Sequence, residues 1–157
     1  MFQGGVGGAR RGKDGPDGQD LQLGRFMNTP VEAAEIENPV MIERYEFIPD
    51  SGGPGKYRGG LSLRRDIRFL ADVTWARYSD RQKFKPLGLF GGLEGSMGSL
   101  LMNPDTPEQK RGKSKGVDQT TGGELRSSRL PGGRGYGPAG GRGPGAGRWC
   151  GGSWAAR

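Results

Sequence analysis

The chain has 157 residues, with 24 Lys or Arg against 17 Asp or Glu, no histidine and a single cysteine. The lack of histidine removes the commonest general base and the commonest transition-metal ligand together, and one thiol allows neither an internal disulfide nor a multi-thiolate metal site within the chain. No stretch approaches the roughly 20 apolar residues of a membrane span, and the opening Met-Phe-Gln-Gly-Gly lacks the basic-then-apolar order of a secretory leader, so a soluble, cytoplasmic protein is expected.

Residues 1–20 are glycine-rich with interleaved charges and no period of helix or strand, and read as a loop segment. In "NTPVEAAEIENP", Thr29 can act as N-cap, Pro30 takes the first helical position and Glu32 falls three residues after the cap, completing a capping box. Asn38-Pro39 stops this helix after about two turns, because the residue before proline is pushed out of the α region. Val40 to Ile48, "VMIERYEFI", carries apolar side chains on both alternating sets and predicts a strand covered on both faces.

Twelve residues, Pro49 to Gly60, then include five glycines before "LSLRRDIRFL" resumes as a strand. There Leu61, Leu63, Ile67 and Phe69 point one way and Ser62, Arg64, Asp66 and Arg68 the other, with Arg65 as the misfit. A tight turn at Ala71-Asp72 predicts Val73 to Ser79 as the third strand of an antiparallel meander. "FKPLGLFGGLEGSMGSLLMN" suits tight bends and a short terminal strand. After Glu124 the last 33 residues hold six Arg, eleven Gly and no acid, and predict no packed structure. The fold expected is therefore mainly β with one short helix (α+β), long glycine-rich loops and a disordered C-terminal tail.

The glycine loop invites a phosphate-cradle reading, but Gly53-Pro54-Gly55 is followed by Arg58 where a dinucleotide fingerprint needs glycine, and no helix follows. Gly112-Lys113-Ser114 has Pro107 where a P-loop needs glycine. The competing reading is a hairpin loop whose glycines allow positive φ and close backbone packing. Asp14, Asp17 and Asp20 recur every third residue but lack the odd-position series and closing glutamate of an EF-hand, and read as a solvated loop. Ser79-Asp80-Arg81 ends the predicted third strand and reads either as a site or as an exposed turn with a local ion pair. The positive charge is concentrated in the tail: residues 1–120 carry 18 bases and 16 acids, and residues 121–157 six bases and one acid. "RLPGGRGYGPAGGRGPGAGR" therefore offers non-specific RNA binding as an alternative function.

Five segments, in order, carry a resemblance: "GARRGKDGPDG" (8–18), "MNTPVE" (27–32), "NPVMIERYEFIPDSGGPGKYRGGLSLRRDIRFL" (38–70), "SDRQKFKPLGLFGG" (79–92) and "LPGGRGYG" (130–137). Together they resemble the C-terminal part of the hydantoinase B/oxoprolinase family over about residues 4–137. The resemblance implies a fragment of an ATP-dependent hydrolase of small cyclic amides such as 5-oxoproline or hydantoins, inactive alone, and a domain over residues 21–137. It implies an A-type ATP-binding partner subunit or domain, and ATP and a divalent metal for the full enzyme, neither of them bound by this chain. No membrane partner is expected, and nucleic acid is the lesser reading. Candidate site residues are Arg58, Asp80 and Arg81, with Asn28 and Glu32 from "MNTPVE". Arg134 interrupts the family's terminal glycines, and Pro138-Ala139 stands where Asp-Pro is usual, so residues 138–157 read as foreign to the domain.

Overall fold

The strand with the clearest alternation, β2 (Leu63–Phe69), lies inside the main sheet of the computed structural model, which describes residues 6–18 and 28–143. It is antiparallel to β1 (Val40–Phe47) on one side and β7 (Leu125–Arg129) on the other, and the sheet continues through β4 (Ser99–Met102) to the two-residue β5 (Lys110–Arg111). A separate antiparallel pair joins β3 (Val73–Tyr78) to β6 (Lys115–Thr120). Helix α1 (Val31–Glu37) precedes β1, and a 3-10 turn at Ala139–Gly141 follows β7. The architecture is mostly antiparallel sheet with one short helix, as the sequence predicts.

The core is small and sits where the two sheets meet. Val40, Ile67 and Phe69 are buried, with Ile42, Val73 and Trp75 packed against them, and the Trp75 ring stands 5.7 Å from that of Phe69. Each such side chain removed from water contributes about 2 kcal/mol. β3 thus leaves the main sheet and lies over it, so the expected meander ends after two strands. The place beside β2 goes to β7, from a stretch that composition reads as unpacked. That reading is corrected by Arg126 and Ser127, 4% and 0% exposed. A strand with one leucine fits an interior because small serines occupy it and Arg126 donates to Glu124 Oε2 at 2.6 Å.

Two local expectations also change. β1 is an edge strand, exposed from Glu43 to Phe47 rather than covered on both faces, and its pairing with β2 is interrupted by a bulge between Ile42 and Arg44. The capping box does not form: Pro30 is the N-cap (φ −51°, ψ 145°), and no side chain caps the helix. Extended Asn38 ends α1, as a residue before proline should. Glu35 instead ties the helix to β1 by accepting the Ile42 N–H at 2.7 Å. Residues 1–5 and 19–27 and the tail beyond Gly143, including Asp20 and Cys150, lie outside the described residues.

Candidate functional site

The Pro49–Gly60 loop packs against residues 132–137 and the N-terminal segment with almost no side chain between them. Its glycines serve close approach rather than positive φ, since the one left-handed residue in the loop is Asp50 (φ 54°). Six of the loop's N–H groups, those of Gly53 and of Lys56 through Gly60, are already taken. Gly53 donates to Gly133 O (2.7 Å), Gly59 to Gly53 O (2.9 Å), Gly60 to Gly7 O (2.9 Å), Lys56 to Gly137 O (3.1 Å) and Tyr57 to Tyr136 O (3.0 Å). A phosphate cradle needs several convergent free N–H groups. This loop uses them to join chain segments far apart in sequence.

That joining places Arg58. Its backbone N–H donates to Asp14 Oδ1 at 2.7 Å, and its guanidinium grips Asp17 at 3.0 and 3.2 Å. Asp17 also accepts the Leu61 N–H (2.6 Å), and Asp14 receives both terminal nitrogens of Arg142 (3.0 and 2.9 Å). Burial pushes the Asp14 carboxyl up, but the Arg142 hydrogen bonds, the Arg58 N–H and the two positive charges outweigh it and hold the group below its ordinary value. Asp14 and Asp17 are therefore structural partners of arginine, not a solvated pair. Among the described residues no three His, Cys, Asp or Glu gather to hold a metal ion.

Beside Asp17 lies a groove of about 200 Å³, lined by Asp17, Gly18, Tyr45, Glu46, Phe47 and Leu63. Two of the sequence candidates border it indirectly, Arg58 through Asp17 and Asn28 through its Nδ2 bond to the Tyr45 hydroxyl (2.5 Å). The others are elsewhere. Glu32 is exposed on α1. Asp80 and Arg81 form an exposed turn after β3, with Asp80 3.8 Å from Lys115, Arg81 left-handed (φ 57°), and the Arg81 carbonyl accepting the Gly98 N–H.

Sequence reasoning passed over the charges of β2. Asp66, 1% exposed, accepts from Arg64 Nε at 3.0 Å and Arg64 Nη2 at 2.6 Å, and lies 3.8 Å from Arg44. The bond to Asp66, opposed by burial and reinforced by Asp105 (3.0 Å), raises the Arg64 pKa further. Arg65 is 1% exposed, with its guanidinium 4.3 Å from the centre of the Tyr45 ring. Leu63, Arg65, Ile67 and Phe69 are all buried on one alternating set, so the misfit in the pattern was itself the signal.

The sequence profile of the hydantoinase B/oxoprolinase family matches residues 1–139. The chain belongs to the hydantoinase B/oxoprolinase family. Within it, an uncharacterized protein of Methanocaldococcus jannaschii is 40% identical over 113 residues, 71% of this chain and 20% of the relative. A 5-oxoprolinase of Dictyostelium discoideum is 32% identical over 109 residues, 69% of this chain and 9% of the relative. The crystal structure of an ATP-dependent caprolactamase from Pseudomonas jessenii shares the fold, with a TM-score of 0.73 and 22% identity over 90% of this chain and 26% of that one. This hydantoinase B/oxoprolinase chain thus spans a fifth or less of the length of these two relatives. Among the described residues no helix is long and apolar enough to cross a membrane.

Proposed function

We propose that this chain is the C-terminal portion of the B-type part of an ATP-dependent hydrolase that opens a small cyclic amide, and that it is inactive by itself. The observation that carries the reading is the family match over residues 1–139. The geometry supports it from the other direction. Arg58, the loop's functional candidate, is committed to Asp17, and Asp14 to Arg142, which leaves this part of the molecule as a rigid wall rather than a set of reacting groups. With no histidine in the chain, proton transfer and metal binding fall to the remainder of the enzyme, and ATP chemistry falls to an A-type partner. Activation of an amide by phosphoryl transfer to its oxygen gives ring opening a good leaving group, and the whole assembly would work in the cytoplasm.

Two arms test this. The purified chain with ATP, Mg²⁺ and 5-oxoproline or hydantoin is expected to release no ring-opened product. A 5-oxoprolinase whose matching segment is exchanged for residues 1–139 is expected to retain ATP-dependent glutamate release, while deletion of the segment abolishes it. Turnover by the isolated chain, or a soluble but dead exchange enzyme, overturns the proposal. RNA binding is the competing outcome, already weakened because Arg126 and Arg142 of the basic tail are engaged by Glu124 and Asp14.

A further inference from the structure

We infer that Arg65 and the groove beside it form a carboxylate-binding site whose anion comes from outside this chain. Two arginines are buried in the main sheet, and each keeps two nitrogens without an acceptor among the described residues, Nε and Nη1 in Arg126 and Nε and Nη2 in Arg65; they differ in whether an acid is at hand. Arg126 has a carboxylate, Glu124 Oε2 at 2.6 Å, and a hydroxyl, Thr120 Oγ1 at 3.4 Å. Arg65 has neither: among the described residues its buried Nε and Nη2 donate to nothing and no acid pairs with it. Its one companion is the face of Tyr45.

A guanidinium cannot shed its proton when buried, as a lysine can. An uncompensated buried charge costs several kcal/mol, and a ring face returns only about 0.5–2 kcal/mol of it. The missing acceptor has a shape. Nε and Nη2 are the two nitrogens along one side of the guanidinium plane, and their parallel N–H bonds match the two oxygens of a carboxylate.

Arg65 does not itself line the groove, and its Nε and Nη2 are buried, so an anion entering there reaches them only if the Tyr45 ring turns aside. Tyr45 sits directly opposite Arg65 on the edge strand β1, is 40% exposed, and forms one wall of the groove. Phe47 and Leu63, also paired across the ladder, give the groove an apolar wall, and about 200 Å³ accommodates a small ring with a carboxylate head. Of the two acids in the lining, Asp17 is neutralised by Arg58 and Glu46 lies across the ladder from Arg64. The inference rests on the cyclic-amide reading only for the ring: 5-oxoproline carries a carboxylate, and 2-pyrrolidinone is the same ring without it.

The test titrates the full ¹⁵N-labelled chain at constant ionic strength with 5-oxoproline, acetate and 2-pyrrolidinone, following the arginine Nε–H resonances and the melting temperature. The two carboxylates are expected to shift one arginine resonance saturably and to raise the melting temperature; 2-pyrrolidinone is expected to do neither. Arg65→Met is expected to fold at least as stably as the parent, because an unpaired buried charge is removed, and to lose the response. Arg65→Lys keeps the charge without the paired N–H geometry and should weaken binding tenfold or more. If acetate binds and 5-oxoproline does not, the carboxylate site stands and its link to the cyclic amide falls. No saturable shift with either carboxylate, an equal shift with 2-pyrrolidinone, or a response that survives Arg65→Met overturns the site.

Discussion

A Cβ placed on Gly59 would stand 1.9 Å from the carbonyl oxygen of Gly133. The same holds across the layer: Gly60 would meet Pro16 O at 2.1 Å, Gly132 would meet Ser51 O at 1.8 Å, and Gly135 would meet Pro54 O at 2.1 Å. Backbone packs directly on backbone, so no rotamer change can make room. Gly59→Ala should therefore destabilise by at least about 1–3 kcal/mol, the range for overpacking. Gly140→Ala, with nothing within 4 Å, should be nearly neutral. Paired thermal melts decide the matter, at roughly 2–4 °C per kcal/mol for a chain of this size. Equal melting temperatures would mean that the layer is not tightly packed in solution.

Neighbouring residues on β2 make the second contrast. Ile67→Ala leaves a cavity among Val40, Phe69 and Trp75 and should cost about 2–5 kcal/mol. Asp66→Ala, on the opposite face, would ordinarily be a mild change. Here it removes the carboxylate that holds Arg64 at 2.6 Å, and should cost about 3–5 kcal/mol, toward the lower end because Arg64 keeps Asp105. Urea denaturation of both variants tests this, and a neutral Asp66→Ala would show that the buried pair contributes nothing.

The β1–β2 hairpin was legible because apolar alternation survives in Leu63, Ile67 and Phe69, and the stop of α1 because Pro39 dictates it. β7 was not legible. Its sequence Leu-Arg-Ser-Ser-Arg has one apolar residue, and its place in the sheet depends on Glu124 and Trp75 meeting Arg126, which no local pattern announces. The departure of β3 has the same origin: an interior strand has only two edges, and a segment 56 residues beyond Phe69 takes the second. The site was half legible. Arg58 could be singled out from its loop, but its partner Asp17 lies 41 residues earlier, and Arg65 looked like an error in a pattern it in fact obeys.

The Arg142–Asp14 pair, which ties residues 128 positions apart, should make stability depend on acid. The Asp14 pKa is lower in the folded chain than the ordinary 3.8, so the pair's contribution is fully present above that value and is lost as pH falls below it toward the folded pKa. Asp14→Asn should lower the melting temperature by a small, constant amount from about pH 5 to about pH 7, the difference closing below pH 3.8. Melting curves of parent and variant across that range provide the check. A gap that persisted in strong acid would mean that Asp14 acts through shape alone.

At α1 the residue that looked important should matter less than one that went unremarked. Thr29 occupies the position of an N-cap in the sequence, and loss of a working cap costs about 1 kcal/mol. The chain instead enters the helix with Pro30 as N-cap and no side-chain bond to the free N–H groups, so Thr29→Ala should leave stability unchanged. Glu35 takes the Ile42 N–H, next to the bulge that interrupts the β1–β2 ladder. Glu35→Ala leaves that partly buried donor without its acceptor and should cost about 1–3 kcal/mol. Glu35→Gln keeps a side-chain oxygen in reach and should recover most of the loss. Amide hydrogen exchange gives the local readout: Ile42 should exchange faster in Glu35→Ala, regain protection in Glu35→Gln, and be unaffected in Thr29→Ala. The reverse order, with Thr29→Ala the harmful change and Ile42 indifferent to Glu35, would restore the capping box and show that the helix is held by its own end rather than by the strand it precedes.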